Sequence, residues 1–222
     1  MESAEQKSQV FISGWVLALT ALVGTGLMAG VNWHSQPYIA ENERQMLIRS
    51  LNTVIPPQSY DNDILHDTTT VNDPALLGSK QTSLVYRARK GSEPIAAALS
   101  VVAPNGYSGP ITLLVGIDVS GQITGVRVVN HHETPGLGDG IEKRRSNWID
   151  TFTGKSASNP GEAGWKVKRD GGDFDQFTGA TITPRAVVGA VHKALIFFSQ
   201  NRAALFADDQ PGAVDKTDKS VN

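Results

Sequence analysis

Residues 111–130 read ITLLVGIDVSGQITGVRVVN, two apolar, β-branched runs on either side of Ser120-Gly121. Val, Ile and Thr at this density favour strands, and a Ser-Gly pair between two such runs is a turn signal, so the stretch is expected to be a β-hairpin. Upstream, residues 83–88 and 95–102 have the same character, separated from each other by K-G-S-E-P and from the hairpin by P-N-G-Y-S-G-P. Four strands in succession predict an antiparallel sheet. Downstream, residues 141–152 (IEKRRSNWIDTF) carry Ile141, Trp148, Ile149 and Phe152 on one helical side and are expected as a helix, with a short strand at 165–168. In residues 183–206, Thr183 is the expected N-cap and Pro184 the first helical residue, while Val187, Val188, Val191, Ala194, Leu195 and Phe198 form a core-facing stripe. The expected class is α+β, an antiparallel sheet with flanking helices.

Towards the N-terminus the pattern changes from alternation to an unbroken apolar run. Residues 10–31 (VFISGWVLALTALVGTGLMAGV) contain no charge, and a helix of that length spans about 33 Å, enough for a hydrocarbon core of about 30 Å. The leading MESAEQK carries two Glu and one Lys, the run exceeds a signal-peptide core and no A-x-A site follows, so a retained transmembrane anchor is expected. Lys7 precedes the run and the next positive residue after it is Arg44, a weak bias that points to a cytoplasmic N-terminus and a globular part across the membrane. Gly26 and Gly30 form a G-x-x-x-G pair suited to close approach of another membrane helix. Residues 38–55 read as an amphipathic connector ending at Pro56-Pro57, and 58–82 as polar extended connection. The expected division is 1–9 cytoplasmic, 10–31 anchor, 32–82 connector, 83–206 globular domain and 207–222 disordered tail.

The 222 residues hold 20 Lys+Arg against 22 Asp+Glu, a net charge of −2 that argues against nucleic-acid binding. There is no Cys, which excludes disulfides, cysteine-ligated zinc, iron–sulfur clusters, thioether-attached haem and thiolate nucleophiles. Redox chemistry would need a non-thiol cofactor. His131, His132 and Glu133 are consecutive and would alternate across a strand, and no other cluster supplies a third ligand, so no metal site is assigned. Gly136, Gly138 and Gly140 are spaced G-x-G-x-G, not G-x-G-x-x-G, and no βαβ unit follows, which argues against a Rossmann loop. In residues 175–183 (DQFTGATIT), Gly179 allows close backbone approach, Thr178, Ala180 and Thr181 are small, and the following helix start favours an anion. The residue chemistry alone leaves an anion site and a helix-capping loop both open.

Asp175-x-x-Thr178-Gly179-Ala180-Thr181 resembles the D-x-x-[ST]-G-A-[ST] flavinylation motif, and Glu133-Thr134-Pro135-Gly136-Leu137-Gly138 is similar to the E-T-P-G-L-G segment of the same FMN-binding domain. With the single N-terminal anchor, the chain resembles the G subunit of the Rnf/Rsx ion-translocating electron transport complex over most of its length. The C subunit of the sodium-pumping NADH:quinone reductase shares both motifs. The resemblance implies covalent FMN on Thr181 through a phosphoester, Asp175 and Gly179 within the sequence read by the flavin transferase, Glu133, Thr134 and Leu137 lining the flavin, Thr178 near the phosphate, and Ala180 as a further cofactor-binding residue. Lys166 is a further candidate cation for the phosphate or the reduced flavin. The resemblance implies electron relay through FMN in a ferredoxin:NAD oxidoreductase complex of the bacterial inner membrane, with the domain on the periplasmic side, ion movement left to partner subunits and no acid–base catalytic residue. The alternatives are the flavin subunit of a different membrane reductase, or a non-redox membrane-anchored assembly or ligand-binding module.

Overall fold

The computed structural model describes residues 2–207. The chain divides into two compact units, Met1–Leu47 and Ile48–Asn222. Helix α1 runs over Glu2–Val54. Within the first unit the segment Gly14–Gln36 is long and apolar enough to cross a membrane, and Trp15, Leu22, Leu27 and Trp33 are exposed along it. The expected tail, apart from Ala207, lies outside the described residues.

In the second unit, strands β1 (Thr68–Val71), β2 (Ser83–Lys90), β3 (Glu93–Gly106), β4 (Gly109–Asp118) and β5 (Ile123–Asn130) form one sheet in the order β1-β2-β3-β4-β5. Every neighbouring pair is antiparallel. The four expected strands are all present. The fifth, β1, lies in the stretch expected to be mere connection, which also holds a helix α2 at Pro74–Leu77 capped by Asp73. β1 is an edge strand of only four residues, mostly half-buried, so it lacks the apolar alternation by which strands are recognised.

Helix α3 (Ile182–Phe206) covers one face of the sheet. The expected stripe is the buried face: Val187, Val188, Val191, Ala194, Leu195 and Phe198 all lie in the core with Leu99, Val101, Ile111, Leu113 and Val115 of β3 and β4. The C-terminal end of α3 is tied to β2, where Arg87 donates to the Ala207 carbonyl and Arg89 to that of Phe206, and both arginines pair with Asp67. These guanidinium groups meet carbonyls that the helix itself leaves without partners.

Residues 141–152 and 165–168 differ from expectation. The first stretch is not an α-helix but bends through 3₁₀ turns at Gly138–Ile141 and Trp148–Phe152, and the second has only an isolated bridge, Val167 to Phe174. Tertiary packing overrides the helical spacing here: Trp148, Phe152, Trp165 and Phe174 gather into one aromatic cluster under α3. His192 of α3 stacks on Trp165 at 5.2 Å, and burial pushes its pKa below the usual value.

The other face receives the end of α1, whose Leu51 and Val54 are fully buried together with Ile55. Gly116 and Gly125 sit opposite each other on β4 and β5 and leave a slot for the backbone of Val54, whose carbonyl accepts a hydrogen bond from Thr124 Oγ1. A Cβ on Gly116 would lie 2.6 Å from the Val54 carbonyl oxygen. Gly116→Val should therefore destabilise the unit by about 1–3 kcal/mol through overpacking, whereas Gly189→Ala, into open space on α3, should stabilise it by about 0.5–1 kcal/mol. Thermal melts of the detergent-solubilised chain check both signs.

Candidate functional site

Three segments converge on the first turn of α3: the tip of the β3–β4 hairpin, the loop from Glu133 to Gly138, and the loop ending at Thr181. Together they line a cleft of about 140 Å³.

The hairpin tip is the pair Tyr107-Ser108, enclosed by the Gly106–Gly109 pair. Glu133, the first residue of the second segment, is buried and turns its carboxylate inward: Oε1 accepts from the Ser108 amide at 3.0 Å, and Oε2 accepts from the Thr183 hydroxyl. Two glycines make room for it. A Cβ on Gly106 would come within 2.9 Å of Oε1, and one on Gly138 within 2.6 Å of Oε2 and 2.9 Å of the Thr183 hydroxyl. The Glu133 amide donates to Nδ1 of His131 at 3.0 Å, which leaves the other ring nitrogen, Nε2, to donate to Glu142 at 2.6 Å. Glu142 is held down to about 2 by Arg144 first and His131 next, against the opposing effect of burial. The rest of the loop is a closed turn: Leu137 and Gly138 donate to the Thr134 carbonyl and Gly136 to Asp139.

The third segment is anchored by aromatics. Trp148 Nε1 donates to the Asp175 carbonyl at 2.7 Å, and the Phe177 ring packs on Trp148 at 5.3 Å and over Gly140, where a Cβ would lie 3.0 Å from the ring. The chain then reverses in a turn closed by the Ala180 amide on the Phe177 carbonyl, with Gly179 at φ 79°. A left-handed residue at that third place is what a type II turn requires, and glycine takes it at little cost.

The α3 boundary differs by two residues from the sequence expectation. The helix opens at Ile182 behind Thr181, and Thr183, expected as the cap, is a fully buried helical residue whose hydroxyl serves Glu133 instead. Thr181 makes no side-chain cap bond. Thr181 is half-buried and lines the cleft, beside first-turn amides that have no partner within the helix.

Of the residues singled out from sequence, Glu133, Thr134, Leu137, Gly179, Ala180 and Thr181 meet in this cleft. Asp175, Thr178 and Lys166 are exposed and do not line it; the Asp175 side chain pairs with Lys168 at 2.6 Å. Tyr107, Gly138, Ile182 and Thr183 also line it, although none of the four is a site residue in the sequence reading, where Gly138 belongs to the first motif and Thr183 is the expected N-cap. The turn P-N-G-Y-S-G-P marks the hairpin tip, but nothing local connects it to residues some seventy positions away.

The FMN-binding domain family matches residues 106–196, so its match begins at the hairpin tip, and the N-terminal region of RnfG matches residues 1–54. A Pseudomonas aeruginosa protein, named as the G subunit of an ion-translocating oxidoreductase complex, is 48% identical over 210 residues, which is 95% of this chain and 98% of that one. The chain belongs to the RnfG family. Proteins of the same name from Photorhabdus laumondii (52% identity, 83% of this chain and 88% of the relative) and Shewanella baltica (45%, 90% and 95%) agree. Every residue lining the cleft falls within the stretch matched by the FMN-binding domain family, and a hydroxyl without a cap bond, helix-start amides and small neighbouring side chains are groups that suit an anion. At about 140 Å³ the cleft is smaller than the roughly 300–1,000 Å³ pockets that enclose a ligand. Thr183→Val should cost about 1–3 kcal/mol by leaving the buried Glu133 oxygen without its donor, measured by urea unfolding, and Gly138→Ala should destabilise by forcing the same pair apart.

Proposed function

We propose that the chain is a membrane-anchored flavoprotein that relays electrons through FMN bound covalently to Thr181, within an ion-translocating complex of the ferredoxin:NAD type. The observation that carries this reading is the Thr181 hydroxyl, uncommitted in a cleft built by both halves of the FMN-binding sequence signature. In attachment, Thr181 Oγ bonds the flavin-side phosphorus of FAD, the pyrophosphate P–O bond breaks, and AMP leaves with the hydroxyl proton. A flavin transferase supplies that step, reading the exposed Asp175 and the Gly179 turn. Thr178 and Ala180 leave space for the phosphate, and the first-turn amides of α3 offset its charge. Lys166, exposed and outside the cleft, serves at most as a long-range countercharge.

A covalent link suits so small a cleft, because retention does not depend on enclosure. When bound, FMN supplies the electron transfer, and the chain's residues hold and orient it. The cleft's openness lets donor and acceptor centres of partner subunits approach closely. The segment Gly14–Gln36 provides one anchor without an ionisable side chain before His34, so ion movement falls to those partners.

Mass spectrometry of the tryptic peptide 170–185 from native membranes should show the mass of FMN less one water, and Thr181→Ala should abolish both this adduct and in-gel flavin fluorescence. An unmodified wild-type peptide overturns the reading. The Cys-free sequence also allows a clean topology test: Ser158→Cys on an exposed loop should react with a membrane-impermeant maleimide in intact spheroplasts, as expected for a periplasmic domain beyond an anchor preceded by Lys7.

A further inference from the structure

Among the described residues of the globular unit, the large hydrophobic side chains left exposed are Tyr107 (69%), Val129 (53%), Leu137 (48%) and Ile182 (44%). Three of the four, Tyr107, Leu137 and Ile182, line the cleft that holds Thr181. Apolar surface gathered on one small concave site marks a place where something covers it. The three come from three separate segments, so their gathering is a product of the fold and not of one apolar run in the sequence.

Tyr107 is the largest of them and the only aromatic. It occupies the tip of a two-residue hairpin turn, and its neighbour Ser108 is pinned through its amide to Glu133, which is in turn bonded to Thr183, two residues beyond Thr181. The backbone of Tyr107 is thus held against the attachment point through one buried carboxylate, while its ring remains in solvent. An exposed phenol ring costs little conformational entropy to immobilise and offers a flat apolar face for a planar partner.

We propose that Tyr107 is the residue that holds the ring system of the flavin tethered at Thr181, stacking on the isoalloxazine while Leu137 and Ile182 supply the remaining apolar contact; this rests on the covalent-FMN reading above. The phosphoester fixes one end of the cofactor only. The ribityl chain would let the ring sweep through solvent, and Tyr107 removes that freedom, which sets the orientation in which partner centres meet the flavin.

The test uses the full-length, flavin-loaded protein in detergent and reads the flavin itself: time-resolved fluorescence anisotropy for ring mobility and collisional quenching by iodide for access. Tyr107→Ser should speed the ring's rotation and raise iodide quenching severalfold. Tyr107→Phe, which keeps the flat face, and Val129→Ser, which alters the one exposed large hydrophobic residue outside the cleft among the described residues of the globular unit, should both match wild type. A loaded Tyr107→Ser protein with unchanged ring mobility and iodide access overturns the assignment, as does a Val129→Ser protein that changes equally. A wild-type protein with no flavin on peptide 170–185 instead overturns the covalent-FMN reading together with it.

Discussion

The Glu133 carboxylate is the joint on which the site depends. It is buried between the β3–β4 hairpin and the first turn of α3, with one oxygen committed to the Ser108 amide and the other to the Thr183 hydroxyl. A buried carboxylate is tolerable only when its lone pairs are met, and here the donors that meet them belong to the sheet and to the helix. The same contact therefore satisfies the charge and sets the distance between the hairpin tip and Thr181. Gly106 and Gly138 follow from it, since a Cβ at either would occupy the carboxylate's space.

Around that joint the rest of the globular unit acts as support. α3 is held at its far end by the Asp67–Arg87–Arg89 cluster and along its length by the core, so its first turn is a rigid platform. Trp148 and Phe177 fix the loop before it from below, through one hydrogen bond to a carbonyl and one ring seated on a glycine. Thr181 gains a defined position without using its own hydroxyl, and the hydroxyl stays available for chemistry. The slot formed by Gly116 and Gly125 performs the corresponding task on the opposite face, where it receives the last turn of α1.

Much of this was legible in the residues. Alternation and turn pairs marked β2 to β5, a helical stripe marked α3, and two short motifs marked the loops that face each other across the cleft. The misreadings share one cause. Thr183 has the chemistry of an N-cap and would act as one in isolation, yet a carboxylate fifty residues away is the stronger acceptor. Residues 141–152 have helical spacing, but the aromatic cluster bends them into 3₁₀ turns. β1 is too short and too evenly half-buried to show a period, and it becomes a strand only because β2 offers an edge.

By itself the sequence determined the class of fold, the apolar N-terminal helix and the exclusion of thiol and metal–sulfur chemistry, because each rests on residues close together in the chain or on plain composition, whereas Thr181 stood out only through the resemblance of its motif to a known family. The tertiary structure decided that Glu133 is a buried structural joint in the wall of the cleft, that Lys166 and Asp175 stand outside it, and that Tyr107 lines it from the hairpin tip. These depend on where separate segments meet, and that is set by how buried charges find their donors and apolar surfaces find their cover, which no local pattern encodes.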